Sequence, residues 1–454
     1  MKKWIVLPAL LLAVSIPVYP EGDGAARGSS ASGLPPALAK LLPGIQRAVS
    51  ELRELPWKSE VSVAVESRDG LRDRLLATLD EEIPVEEFTN RELVLRKIGL
   101  YRDDIPLREL LVETYTSEIA GFYDKDEKAL YVLDDIPVGT REILAHELIH
   151  ALQDQHFDLT TLPLDDYTNS DGGFACLALI EGDATLGMIE YLSREGGEAC
   201  PDLGLIAETL DLAVRLSPNL KGLPEWLAEE MIFPYVRGTS FVSVLRRKEG
   251  QAGVRRAFGD LPASTEQILH PEKYLSRKRD YPRAITIPDL EGALGPGWHR
   301  IFNDCVGEFG IDLWLTQFLP DLAPSASSGW DGDRLTAYRF GETDRVVIAL
   351  VSVWDSALHA AEFQLAMREL TEQEKPSMAM VPFGAAPGAL LFVSADDTVF
   401  LERREDQVIF VETAPLEGIA SVREALWRSE VREVRAVPRQ EAPHRKRERP
   451  VGCR

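Results

Sequence analysis

Residues Arg141–Phe157 read REILAHELIHALQDQHF and contain His146-Glu147-Leu148-Ile149-His150, an HExxH pattern. On an α-helix, residues four apart are separated by about 400° of rotation, so they share one face roughly 6 Å apart. Two imidazoles so placed can share one Zn²⁺, with Glu147 close enough to act on a coordinated water. The flanking Ile143, Leu144, Ala145, Ala151 and Leu152 are apolar, as a buried active-site helix requires. The competing reading is a core helix whose histidines are merely satisfied. A chance match on a solvent-facing helix would carry charges in its variable positions, and here they are Leu148 and Ile149. Three of the chain's seven histidines also fall within eleven residues, which favours the metal.

Length and composition bound the rest. A chain of 454 residues is too long for one ordinary domain, so two or three are expected. With 45% hydrophobic and 27% charged residues it reads as globular. A formal net charge of −24 argues against nucleic acid as a partner, because phosphate contacts need clustered Lys and Arg. The cysteines Cys176, Cys200, Cys305 and Cys453 form no CxxC pair, which argues against a cysteine zinc site. Cys176 and Cys200 are the closest pair for a disulfide, although spacing alone does not establish one.

The N-terminus places Lys2 and Lys3 before an apolar run from Trp4 to Val18, interrupted by Pro8 and Pro17. About 15 such residues are short for a membrane span and fit a signal-peptide core, with an uncleaved anchor at 1–20 as the alternative. Export to the periplasm or outside is therefore expected, with membrane contact only if this segment is retained. Residues 21–34 read as a flexible linker. Residues 35–283 carry the HExxH stretch behind a mostly helical N-terminal part, which is a scaffold or, alternatively, a removable prosegment. Within it, Glu60–Val65 alternates as a strand, and Ile119–Leu133 reads as a hairpin immediately before the metal helix. The hairpin either helps bury that helix or offers an edge to an extended substrate backbone.

After the helix, Leu177–Leu192 is a second helical stretch with Glu181 and Asp183 inside an apolar run, and a carboxylate there needs a partner. The segment 224–274 reads as one or two buried helices followed by a polar run ending at His270. From residue 284 to 434 strands such as Arg345–Val353, Thr398–Arg403 and Gln407–Thr413 alternate with helices at Ser356–Leu370 and Gly418–Arg428. The expected fold class is α+β: a mainly helical core with a small edge sheet, then a C-terminal α+β domain. Residues 435–454 form a basic, Pro-containing tail read as disordered.

A catalytic zinc takes three protein ligands, and the sequence offers three candidates for the third. His156 has the metzincin spacing from His146, but Gln153 stands where the turn-making Gly belongs. If the helix continues, His156 is rotated about 120° from His150. Asp154 lies one turn beyond His150 and can bind metal or orient its ring. Glu181, on another helix, supplies a separate direction.

HExxH followed by a Glu on a later helix resembles the gluzincin, thermolysin-like branch of zinc metallopeptidases, and Ala178-Leu179-Ile180-Glu181-Gly182-Asp183-Ala184 is similar to the third-ligand helix of some members. The chain also resembles exported bacterial HExxH proteins. The likeness covers roughly residues 117–190 and departs from the NExxxD form of that helix, with Ile180 in place of Asn and Thr185 in place of Asp. The resemblance implies a zincin-like core, with Zn²⁺ held by His146, His150 and Glu181, Glu147 as general base, and a peptide or protein substrate. His270 and Tyr235 are the candidate donors to a developing oxyanion, on the expectation that residues 224–271 fold back over the metal. The alternative function is a non-catalytic envelope binding protein built on a peptidase-like scaffold.

Overall fold

In the computed structural model, the HExxH stretch is one unbroken helix from Arg141 to Phe157. The structure describes residues 35–434 and 437, apart from 83–84, 119–120, 135–140, 165, 198–201, 216–219, 221, 385–387, 396 and 414. Residues 1–20, expected to direct export, the expected linker, Cys200 and nearly all of the basic tail lie outside the described residues. Before the HExxH helix come α1 (Pro36–Arg53), β1 (Ser62–Glu66), α2 (Arg68–Glu82), α3 (Val85–Lys97) and α4 (Leu107–Glu118). The hairpin β2 (Gly121–Asp124) and β3 (Ala129–Leu133) follows, which makes the HExxH helix α5. After it stand α6 (Ser170–Glu195), α7 (Leu203–Arg215), α8 (Glu225–Gly259), α9 (Thr265–Leu269) and α10 (Pro271–Leu275).

Every residue of α5 from Ile143 to Asp154 is buried, so this helix is a core element with no polar solvent face. One side is covered by the sheet β1–β3–β2, in which β3 pairs parallel to β1 and antiparallel to β2. α6 is capped by Asn169, whose side chain accepts from the Gly172 amide at 3.2 Å. α6 is long and apolar enough to cross a membrane, and its burial inside the protein accounts for that composition.

α6 and α8 meet backbone to backbone. A Cβ on Gly182 would stand 2.1 Å from the carbonyl carbon of Gly238, and one on Gly238 would stand 2.1 Å from Ala178 O. Only glycine at both positions permits this approach, and it brings Glu181 and Tyr235 into the same layer. α8 breaks at Gly250, whose φ of 63° lies in the left-handed region.

The C-terminal part consists of β4 (Arg283–Thr286), α11 (Glu291–Leu294), β5 (Trp298–Asp304), α12 (Gly307–Thr316), α13 (Ala323–Ser327), β6 (Trp330–Phe340) and β7 (Val346–Trp354). Then come α14 (Ala357–Glu374), β8 (Ala379–Val381), β9 (Ala389–Val393), β10 (Thr398–Arg404), β11 (Gln407–Glu412), α15 (Ile419–Leu426) and β12 (Glu430–Glu433). Seven strands form an antiparallel sheet in the order β5-β6-β7-β11-β10-β9-β8. β7 is buried along its whole length: Val346, Ile348 and Leu350 join the core shared with the helices, while Val347, Ala349, Val351 and Val353 join the core under α11 and α15. The chain is therefore α+β.

The expected division at residue 283 does not separate two cores. One apolar cluster runs from Val94 and Leu179 through Trp314 to Phe410, and Trp314 Nε1 donates to Ile98 O at 3.1 Å across that point.

Two stability predictions follow from this packing. Gly182→Ala forces backbone apart and costs at least about 1–3 kcal/mol, read from urea melts. Glu402 is buried on β10, where Arg423 Nε and Nη2 donate to it at 2.6 Å each and Trp427 Nε1 at 2.7 Å. Burial raises its pKa, but these bonds outweigh burial and leave it below its ordinary value. A depressed carboxylate contributes stability above its unfolded pKa and loses it as pH falls through the folded one. Glu402→Gln should thus flatten the loss of stability below about pH 4.3, and an unchanged acid limb in pH-dependent melts contradicts that assignment.

Candidate metal centre

α5 and α6 together bring His146, His150 and Glu181 to one point, with one ligand atom from each within 4.8 Å of the others. His146 Nε2 lies 3.0 Å from His150 Nε2 and 3.2 Å from Glu181 Oε2, and His150 Nε2 lies 3.3 Å from that same oxygen. The helical turn between positions 146 and 150 aims both rings at α6, as the spacing predicts. All three side chains are buried, His150 the least so at 9% exposure. Burial raises the Glu181 pKa, but the imidazoles outweigh it and hold the carboxyl at about 2. Burial in turn lowers the His150 pKa, yet Glu181 raises it to about 9. His146, more enclosed, is lowered by burial. The cluster is built to stabilise positive charge at its centre.

Glu147 sits beside this group. Burial pushes its pKa up to about 8, with the Glu181 charge adding to the rise and His150 opposing it. Strand β2 covers it: a Cβ on Gly121 would stand 3.9 Å from Glu147 Cγ. The Tyr123 amide faces the Glu147 carboxylate without completing a hydrogen bond of normal geometry, so both carboxylate oxygens are unpaired. Tyr235, from α8, lays its ring nearly parallel to His146 at 6.3 Å between centroids. Its hydroxyl faces Glu181 in the same incomplete way, and burial with the Glu181 and Glu147 charges pushes its pKa well up.

These orphaned atoms test the fit of a cation. Glu147 Oε1 and Oε2, Glu181 Oε1 and the Tyr235 hydroxyl are all buried without a hydrogen-bond partner. Each such atom costs about 1–3 kcal/mol, and together they line one spot. Two imidazole nitrogens and a carboxylate are the donor set zinc takes in catalytic sites. The residues fit a zinc ion.

The other sequence candidates fall elsewhere. α5 continues straight through His156, whose Nε2 pairs with Pro56 O at 2.8 Å, facing away from the cluster. Asp154 accepts from the Tyr123 hydroxyl at 2.8 Å and pairs with Lys128 at 2.6 Å, and it also caps the following turn through Leu159 N. His270 corrects the expectation of an oxyanion donor. It stands between α9 and α10, a third exposed, with Nε2 2.9 Å from Glu308 Oε1, and that bond raises its pKa. Of the returning segment, α8 reaches the cluster and the turn after it does not, because the break at Gly250 and the short α9 carry the chain toward α12.

Gln153 and Asp183 complete the surroundings. Gln153 Oε1 contacts His150 Nδ1 at 2.9 Å, and its Nε2 donates to Asp183 Oδ2 at 2.8 Å. Asp183 thus reaches the cluster only through the Gln153 amide. A charge inside an apolar run was its signal. Arg53, which pairs with Asp183, carried none.

Residues 298–423 match the profile of a family described as a domain of unknown function (DUF8575). The match covers the C-terminal sheet and stops short of every residue in the cluster. No curated protein and no solved structure matches the chain.

Zinc added to the purified chain should bind at one equivalent after dialysis, and His146→Ala or Glu181→Ala should abolish it. His156→Ala and Asp154→Asn should retain one equivalent. Loss of zinc in either of the latter would move the third ligand away from Glu181.

Proposed function

We propose that the protein is an exported zinc metallopeptidase of the gluzincin type, with a zincin-like core that hydrolyses peptide bonds in protein substrates. The observation that carries the reading is a convergent His146–His150–Glu181 set flanked by a carboxylate, Glu147, with both oxygens free. His146, His150 and Glu181 would hold the ion. A zinc ion bound there would supply Lewis acidity, polarising a carbonyl and making water easier to deprotonate.

The chain's own groups do the rest. Glu147 accepts a proton from the attacking water on a carboxylate oxygen and delivers it to the leaving amine nitrogen. Its two carboxylate oxygens are buried with no hydrogen-bond partner, which leaves them available to take and release that proton. The Tyr235 hydroxyl, whose high pKa keeps it protonated, donates to the carbonyl oxygen as negative charge develops there. β2 ends its sheet beside Glu147, and its edge, buried in the closed structure, would suit an extended peptide once uncovered, since strand edges offer unpaired amides.

A second reading rests on burial. His146, Glu147, Glu181 and Tyr235 are each at most 7% exposed, so a substrate needs the covering hairpin to give way. A scaffold that keeps the cluster closed and binds a partner elsewhere is the alternative. Digestion of an unstructured protein with and without a zinc chelator separates the two. Chelator-sensitive cleavage that falls by about 10²–10⁴ in Glu147→Gln and about 10²–10³ in Tyr235→Phe, but is unchanged in His270→Ala, supports the peptidase. Stoichiometric zinc with no cleavage in either wild type or variants supports the scaffold.

A further inference from the structure

Arg53 ends α1, outside both helices that carry the candidate ligands, yet it is only 2% exposed. A buried guanidinium costs several kcal/mol unless its charge is met. It is met by Asp183 of α6 in an ion pair, and Nη1 donates to Gln251 Oε1 at 2.8 Å. The other oxygen of Asp183 accepts from Gln153 Nε2 at 2.8 Å, and that nitrogen also donates to Ile180 O at 3.0 Å. Both acceptors stand on the α6 side of Gln153. The hydrogen-bond network therefore assigns the amide nitrogen to α6 and the amide oxygen to α5.

That oxygen meets His150 Nδ1 at 2.9 Å. A carbonyl oxygen only accepts, so Nδ1 carries the hydrogen and Nε2, facing His146 and Glu181, is the nitrogen left for a metal ion. Were the amide reversed, its NH₂ would face Nδ1 and favour the hydrogen on Nε2, the atom the cluster needs bare. Nothing in Gln153 itself selects between the two orientations; Asp183 and Ile180 O select it, and Arg53 holds Asp183 in place.

We propose that Arg53 is a positioning residue for the metal centre: through Asp183 and the Gln153 amide it selects the ring orientation and tautomer in which His150 Nε2 is a ligand. The inference rests on the metal reading of His146, His150 and Glu181. It makes α1 part of the site and so speaks against α1 as a removable prosegment.

The test uses the full chain, with Zn²⁺ and Co²⁺ as probes. Gln153→Met leaves the Arg53–Asp183 pair intact and removes only its link to His150. The double variant Arg53→Met with Asp183→Leu replaces the ion pair by apolar side chains of similar bulk, a change buried pairs often tolerate, and so keeps the question open to test where Arg53→Met alone fails to fold. Zinc affinity, measured by competition with a chromophoric chelator, should fall about 10–100-fold in each, and the visible d–d bands of the cobalt-loaded protein should shift. Wild-type affinity with unshifted bands in either folded variant overturns the inference while leaving the metal site standing. A wild-type chain that binds neither ion overturns the metal reading and the inference together.

Discussion

The carboxylate of Glu181 lies 3.2 Å and 3.3 Å from two imidazole nitrogens in a space closed to solvent, and burying that negative charge is the constraint on which the rest of the structure depends. An isolated carboxylate is not stable there; one opposed by two rings able to carry or coordinate positive charge is. To place it, α6 must pass close to α5 on one side and α8 on the other. The glycine contact of Gly182 with Gly238 permits the second approach. The same approach carries Tyr235 to the cluster, so the geometry of the helix crossing and the chemistry of the site have one cause.

Charge compensation extends outward from there. Asp183, two residues beyond Glu181, is rotated about 200° from it around the helix axis and points to α1, where Arg53 receives it. Arg246 and Glu190 form a further pair at 2.9 Å along the same helices. A core that holds this many charges needs a partner for each, and both oxygens of Glu147 and the Tyr235 hydroxyl are among the buried atoms left without one.

Much of this arrangement was legible in the chain because it is local. The HExxH spacing decides that His146 and His150 share a face, and the apolar flanks decide that the face is internal; α5 spans Arg141–Phe157 as read. The hairpin and α6 were legible for the same reason, since two-residue alternation and three-to-four spacing are properties of short segments. Glu181 was reachable because a carboxylate inside an apolar run demands a partner. His270 and Tyr235 show where such reasoning ends. Both lie in one polar-interrupted segment, and choosing between them requires knowing that α8 runs straight past the cluster while the chain beyond Gly250 turns away to meet Glu308. The shared core was also hidden: composition changes near residue 284, but the contact of Trp314 with Ile98 is a long-range pairing that no local pattern encodes. Arg53 is the extreme case, an ordinary basic residue at a helix end until α6 is placed against it.

The central claim is that two helix-borne imidazoles and a carboxylate from a second helix hold one divalent ion. X-ray absorption at the zinc edge of the zinc-loaded wild-type chain addresses it most directly. The account predicts two imidazole shells near 2.0–2.1 Å with the remaining ligands oxygen at about 2.0–2.2 Å and no sulfur. A spectrum with sulfur ligands, or with a single imidazole, would contradict it.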